Sequence, residues 1–323
     1  MNSDRLQRRV RALFLWAAAV LWAAGAGAAE VVIAVSEGPV SLPVYVAQSL
    51  GLFQREGLEV RVQPCASGRA CVEMLRQQKA DVATAAEFVV TLDGIRGGDA
   101  VMVATVSSSP HHMKLVARKD AGIGKPGDLR GKRVATVAGS SAEYFLDSWL
   151  LYHQIDGRDV RVIPKQPDAL ARALADAEAD AVAIWEPAAG QAAAALGAQA
   201  IVLPNPRVYT QHFGLVTSRH GASVRTADLV RMLRALAKAS RVIAEEPGRA
   251  KAIWRARAPA GSPDIQLSEH DFTLRLPQSL IATMEGQARW AARRGEGSAT
   301  VRFVPGIEPS LLRQATPGAV ELN

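Results

Sequence analysis

The chain of 323 residues is 49% hydrophobic and 21% charged, enough apolar material to build real cores and to exclude a disordered polymer. Its formal charge of +7 is scattered, and no basic run is interleaved with aromatics, so no nucleic-acid partner is expected. The length corresponds to about two domains.

Arg5, Arg8, Arg9 and Arg11 form a basic head, followed by the uncharged run LFLWAAAVLWAAGAGAA. That run ends in small residues, and Ala26-Gly27-Ala28 offers a cleavage pattern, with the cut expected near Ala28 or Ala29. Residues 1–29 thus have the make-up of a secretory signal peptide; an uncleaved anchor is the other reading of the same run. No cysteine stands at the junction to carry a lipid. The mature chain is expected to be exported.

From Glu30 onward, short β-branched runs alternate with Ala/Leu-rich helical stretches, the pattern of an α/β sheet. VVIAV (31–35) reads as a buried strand, and SLPVYVAQSLGLF as a helix with Val44, Ala47, Leu50 and Leu52 near helical spacing and Gly51 as its stop. LEVRVQP (58–64) alternates as a second strand and runs into CASGRAC, which holds both cysteines around a Ser-Gly pair where a helix begins. The strand series continues through DVATA, VMVATV, KLVAR, KRVATV, VRVIP, AVAIW, AIVLP and GLVTS. Between these runs lie the helices YFLDSWLLYHQ and DALARALADAEA, and after them TADLVRMLRALAKASRVIAEE, where Leu229, Leu233, Leu236, Ser240 and Ile243 share a face and Pro247 closes the run. No repeat and no low-complexity linker divides the chain. Two lobes joined by more than one crossing suit that absence, with SSSPHHMKLVAR and VYTQHFGLVTS as the crossings.

Several chemical motifs fall away. Gly122 to Gly127 spells G-x-G-x-x-G, but Pro126 interrupts it and no long helix follows, so it is not a dinucleotide site. His111 and His112 are adjacent and point to different sides. There is no G-x-S-x-G, no H-E-x-x-H and no C-x-x-C, so no catalytic residue, metal or cofactor is expected.

Four stretches stand in a familiar order: LPVYVAQSLGLFQREGLEV, ASGRACVEMLRQQKADVATA, IGKPGDLRGKRVATVAGSSAEYFLDSWL and ADAVAIWEPAAGQAAAALG, with a weaker match ending in GIEPSLLRQATP. In them the chain resembles the periplasmic substrate-binding proteins of ABC transporters, in the group that takes sulfonates, taurine, nitrate and thiamine-pyrimidine precursors. The resemblance implies the type 2 fold of that class: two α/β lobes, each a mixed sheet flanked by helices, joined by a two-strand hinge. Lobe 1 would comprise 30–109 and 216–323, and lobe 2 would comprise 110–215. A monomer in the periplasm would capture a small-molecule ligand and deliver it to a membrane permease driven by its ATPase. Two other uses of such a fold are a periplasmic ligand sensor and an enzyme related to pyrimidine-precursor synthases, whose cysteine-rich motif is absent here.

The expected site lies where strands hand over to helices, because free N–H groups there suit polar or anionic ligand groups. Glu37 and Gly38 follow the first strand, with Ser41 as a possible N-cap; Ser67 and Gly68 open the next helix; Gly139, Ser140 and Ser141 open the helix after KRVATV. Each serine can equally be a plain cap. Trp185-Glu186-Pro187, directly after AVAI, is the sharpest signal in the resemblance: the indole would cover the ligand and the carboxylate accept its donors. Glu87, Ser108, Tyr209 and Phe213 complete the set. Two or more carboxylates facing the cleft would repel a bare sulfonate and favour a donor-rich ligand such as an aminopyrimidine. In an exported protein Cys65 and Cys71 read as a disulfide, a covalent form of the staple at a helix start, contributing about 2 kcal/mol.

Overall fold

The computed structural model describes residues 30–258, 262, 264–296 and 306–322; the expected signal peptide lies outside the described residues. The first half of the chain lays down β1 (Val31–Ser36), α1 (Leu42–Ser49), β2 (Val60–Cys65), α2 (Gly68–Arg76), β3 (Val82–Ala86), α3 (Glu87–Ile95) and β4 (Ala100–Ser109). β1 pairs in parallel with β2 and with β3. β3, in the middle of the sheet, is buried at every residue and reads as a run of small residues, whereas β2, at the sheet edge, alternates. Gly51 ends α1 with φ +64°, a left-handed turn that suits glycine.

After Ser109 the chain leaves this sheet through Pro110–His112 and builds a second one. Its elements are β5 (Met113–Arg118), β6 (Arg133–Thr136), α4 (Ser141–Tyr152), β7 (Arg161–Pro164), β8 (Ala181–Trp185), α5 (Ala188–Leu196) and β9 (Ala200–Val202). It then returns as β10 (Gln211–Ser218), which is antiparallel to both β3 and β4. The strand orders are β2-β1-β3-β10-β4 and β7-β6-β8-β5-β9, each sheet mixed. The return into the first sheet occurs at Gln211 rather than at 216, because Gln211, His212 and Phe213 already pair with Ser109, Ser108 and Ser107.

The remaining chain covers the first sheet with α6 (Thr226–Glu245), α7 (Pro247–Arg255) and α8 (Gln278–Arg293). Leu229, Leu233, Leu236 and Ile243 of α6 are buried on one face, as their spacing predicts. Pro247 both closes α6 and opens α7 at a first-turn position where its missing N–H costs nothing. Each sheet has its own apolar cluster. A third, small cluster of Phe88, Leu92, Trp290 and Ala291 packs against Tyr144 of α4, between the two bodies. Two mixed sheets flanked by helices and linked by two crossings make the two-lobe α/β architecture.

Candidate functional site in the interlobe cleft

α2 starts at the edge of the gap between the sheets. Ser67 caps it, its Oγ accepting from Ala70 N at 3.2 Å. The disulfide Cys65–Cys71, with Cα atoms 5.5 Å apart, ties the last residue of β2 to the first turn of α2 across that cap. Gly68 is required by close approach: a Cβ there would meet Ala85 Cα of β3 at 3.0 Å. On the facing lobe, Ser140 caps α4 by accepting from Ala142 N at 3.1 Å. The guanidinium of Arg69 spans the gap and donates to the carbonyl of Gly139.

Between these helix starts lies a cavity of about 860 Å³. Of the residues expected there, Glu37, Ser67, Gly68, Ser140, Ser141, Trp185, Glu186 and Phe213 line it. Gly38 stands just behind, where a Cβ would be 3.8 Å from the Glu186 carbonyl. Four others do not line it. Ser41 is fully buried and its hydroxyl donates to Ser36 O at 2.7 Å instead of capping α1. Ser108 Oγ is bonded to His212 Nδ1 at 2.9 Å. Glu87 and Tyr209 bind each other beneath the cavity: Tyr209 OH donates to Glu87 Oε1 at 2.5 Å, Gln287 Nε2 to the same oxygen at 2.7 Å, and His212 N to Oε2 at 2.8 Å. Burial pushes the Glu87 carboxyl up to about 7, against the hydrogen bonds that lower it. Burial and the neighbouring Glu87 raise the Tyr209 phenol well above 10.

Sequence reasoning missed Arg69, Phe88, His112, Lys165 and Gln211 in the cavity wall. The signal was close by: Arg69 and Phe88 each follow a residue that was singled out, while His112 and Gln211 lie in the two crossings. Gln211 is only 5% exposed, its amide nitrogen reaches Ser141 Oγ at 3.4 Å, and its Oε1 has no partner among the described residues. His112 is buried; desolvation, His270 and Lys114 push its pKa down, so its imidazole is neutral.

The carboxylates expected at the cleft meet the cavity unequally. Glu186 is already satisfied: one oxygen pairs with Lys114 Nζ at 3.1 Å and the other accepts from Gly190 N at 2.9 Å in the first turn of α5. Glu87 is sealed below, and Glu37 is exposed at the mouth. Beside these the cavity is faced by the first turns of α2 and α4, by Arg69, and by Lys165 with Asp168. A helix N-terminus carries about half a positive charge and unbonded N–H groups, which suits an anion. Val40, Phe88, Trp185 and Phe213 supply the apolar part of the wall. Among the described residues no group of three or more His, Cys, Asp or Glu could hold a metal ion, and no helix is long and apolar enough to cross a membrane.

The comparisons with known proteins agree with this architecture. The NMT1/THI5-like family model matches residues 38–250. A protein of Bacillus subtilis (strain 168) whose name is "Putative aliphatic sulfonates-binding protein" is 25% identical over 202 residues, 61% of this chain and 60% of that one. The chain thus spans 60% of the length of the curated relative it matches. Among solved structures, the alkanesulfonate-binding protein SsuA from Xanthomonas axonopodis pv. citri bound to MOPS superposes with a TM-score of 0.74 at 18% identity, covering 88% of this chain and all (100%) of that one. The periplasmic nitrate-binding protein NrtA from Synechocystis PCC 6803 gives 0.71 at 13% identity, covering 90% and 89%.

Proposed function

The chain belongs to the NMT1/THI5-like family, and on that premise we propose that it is a periplasmic solute-binding protein that captures a small organic anion between its lobes and delivers it to an ABC-transporter permease. The observation that carries this reading is the pair of helix starts, α2 from one lobe and α4 from the other, at one cavity. The anionic head is held by Ser67, Gly68, Arg69, Ser140 and Ser141, and the apolar remainder lies against Trp185 and Phe213. The lobes divide at the crossings, 30–109 with 211–323 against 110–210, and a monomer suffices. The names of the similar proteins give sulfonate or nitrate as the solute, both anions. Export is supported by the make-up of residues 1–29 and by a disulfide, which persists in an oxidising compartment.

Binding to the folded state alone stabilises it, by about 2.7 kcal/mol at a hundred times the dissociation constant. A thermal-shift screen of the mature protein with alkanesulfonates, nitrate and aminopyrimidines therefore tests the reading. Stabilisation by a sulfonate, with the solute recovered intact, is expected. Stabilisation by an aminopyrimidine alone, or consumption of the solute, contradicts it.

A further inference from the structure

The N-terminus of α4 is not a simple positive pole. Its first turn carries Glu143, whose Oε2 accepts from Gly139 N at 2.7 Å, and Asp147 lies one turn further along. Left unpaired, these two carboxylates would outweigh the half charge of the helix start and repel an anion beside it. The cation that partly offsets them comes from the other lobe. Arg294, directly after α8, donates from Nη2 to Glu143 Oε1 at 2.5 Å and from Nη1 to Asp147 Oδ2 at 3.3 Å. Trp290 Nε1 donates to the same Asp147 oxygen at 2.8 Å, and the Arg294 guanidinium lies over the Trp290 ring, 4.8 Å from its centre.

α8 is anchored to the first-sheet lobe. Gln287 is bonded to Thr91 of α3 at 3.2 Å and to Glu87, and the Trp290 ring packs on Phe88 with centres 5.6 Å apart. Glu296, also near Gly139, is paired with Arg96 of the same lobe, so its neutralisation does not depend on the other lobe. The charge balance at the start of α4 therefore does depend on contact between the lobes. Gln211 adds a second pointer to a ligand here, being buried, lining the cavity and unpartnered at Oε1 among the described residues.

We infer that Arg294 couples lobe contact to anion affinity: with the lobes together it offsets one of the two charges of Glu143 and Asp147, and when they part both carboxylates are left to disfavour an anion at the start of α4. The coupling is reciprocal, so a bound anion favours the joined lobes by the same factor. Release to a partner then requires only that the lobes be drawn apart. Arg294 itself never touches the solute and acts as a positioning residue through Glu143 and Asp147. This inference rests on the anion-binding reading, and its test separates the two.

Calorimetric titration of the mature protein with hexanesulfonate reads the effect. Arg294→Gln is expected to weaken binding about tenfold. Adding Glu143→Gln and Asp147→Asn is expected to restore affinity to within about threefold of the parent, although the bond between lobes is still missing. A triple variant as weak as Arg294→Gln, or an Arg294→Gln protein that binds like the parent, overturns the inference. Should the parent itself not bind hexanesulfonate, the ligand reading fails, and small-angle scattering of the solute-free protein still tests the coupling. Arg294→Glu, which sets three negative charges together, must lengthen the interlobe distances; an unchanged profile overturns it.

Discussion

Glu87 shows how much one side chain can decide. Its place directly after β3 marks it as a cleft residue, and the backbone does start α3 there, at the cavity wall. The carboxylate nevertheless turns inward, because its donors Tyr209 and Gln287 lie 122 and 200 residues away in sequence, beyond any local pattern. Burial raises its pKa from 4.5 to about 7 in the folded state. The folded protein therefore holds a proton that the unfolded chain releases above pH 4.5, and stability falls as pH rises through that window. The loss is about 3 kcal/mol, most of it between pH 5 and pH 7. Glu87→Gln removes the titrating group. Urea melts at pH 5 and pH 8 should show that loss in the parent and lack this contribution in the variant; parallel pH slopes would refute the assignment. Trp185 and Glu186 were legible as cleft wall, yet the pairing of Glu186 with Lys114 and Gly190 was not, since it needs the β5–β8 register.

At the level of elements, the hand-over from β2 to α2 is the best-read part of the chain. Cap, glycine and both cysteines sit within CASGRAC, and the expected Cys65–Cys71 bond is formed there. Closing so short a loop contributes about 2 kcal/mol in the chain-entropy model. Denaturation with and without a thiol reductant should differ by about that amount in the parent and not at all in a Cys65→Ala, Cys71→Ala variant; a parent indifferent to reductant would count against a stabilising bond. The strand series was equally plain, because the inner strands β1, β3 and β8 read as buried runs and the edge strand β2 as an alternating one. Where β10 begins was not. Gln211 and His212 are polar yet buried, since they pair with β4 and stand at the floor between the lobes. Composition there suggests a loop, and only the partner strand makes it sheet.

Across the whole molecule, the missing linker already implied two bodies crossed more than once, and the two crossings lie in the polar stretches that joined loop to strand. The role of α8 was hidden. Its polar face carries Gln287, Trp290 and, just beyond, Arg294, and the groups they bind on α3 and α4 come from distant parts of the chain. The result is a cleft with a hinge at its floor, a helix along its side, and two helix starts aimed into it. On the proposed anion-binding reading, charge would be the property by which a solute is chosen. The most direct test compares two solutes of one shape and opposite charge by calorimetry of the mature protein, hexanesulfonate against hexylammonium. Binding of the sulfonate with no detectable binding of the amine is the expected result. Tighter binding of the amine would contradict an anion site at the starts of α2 and α4.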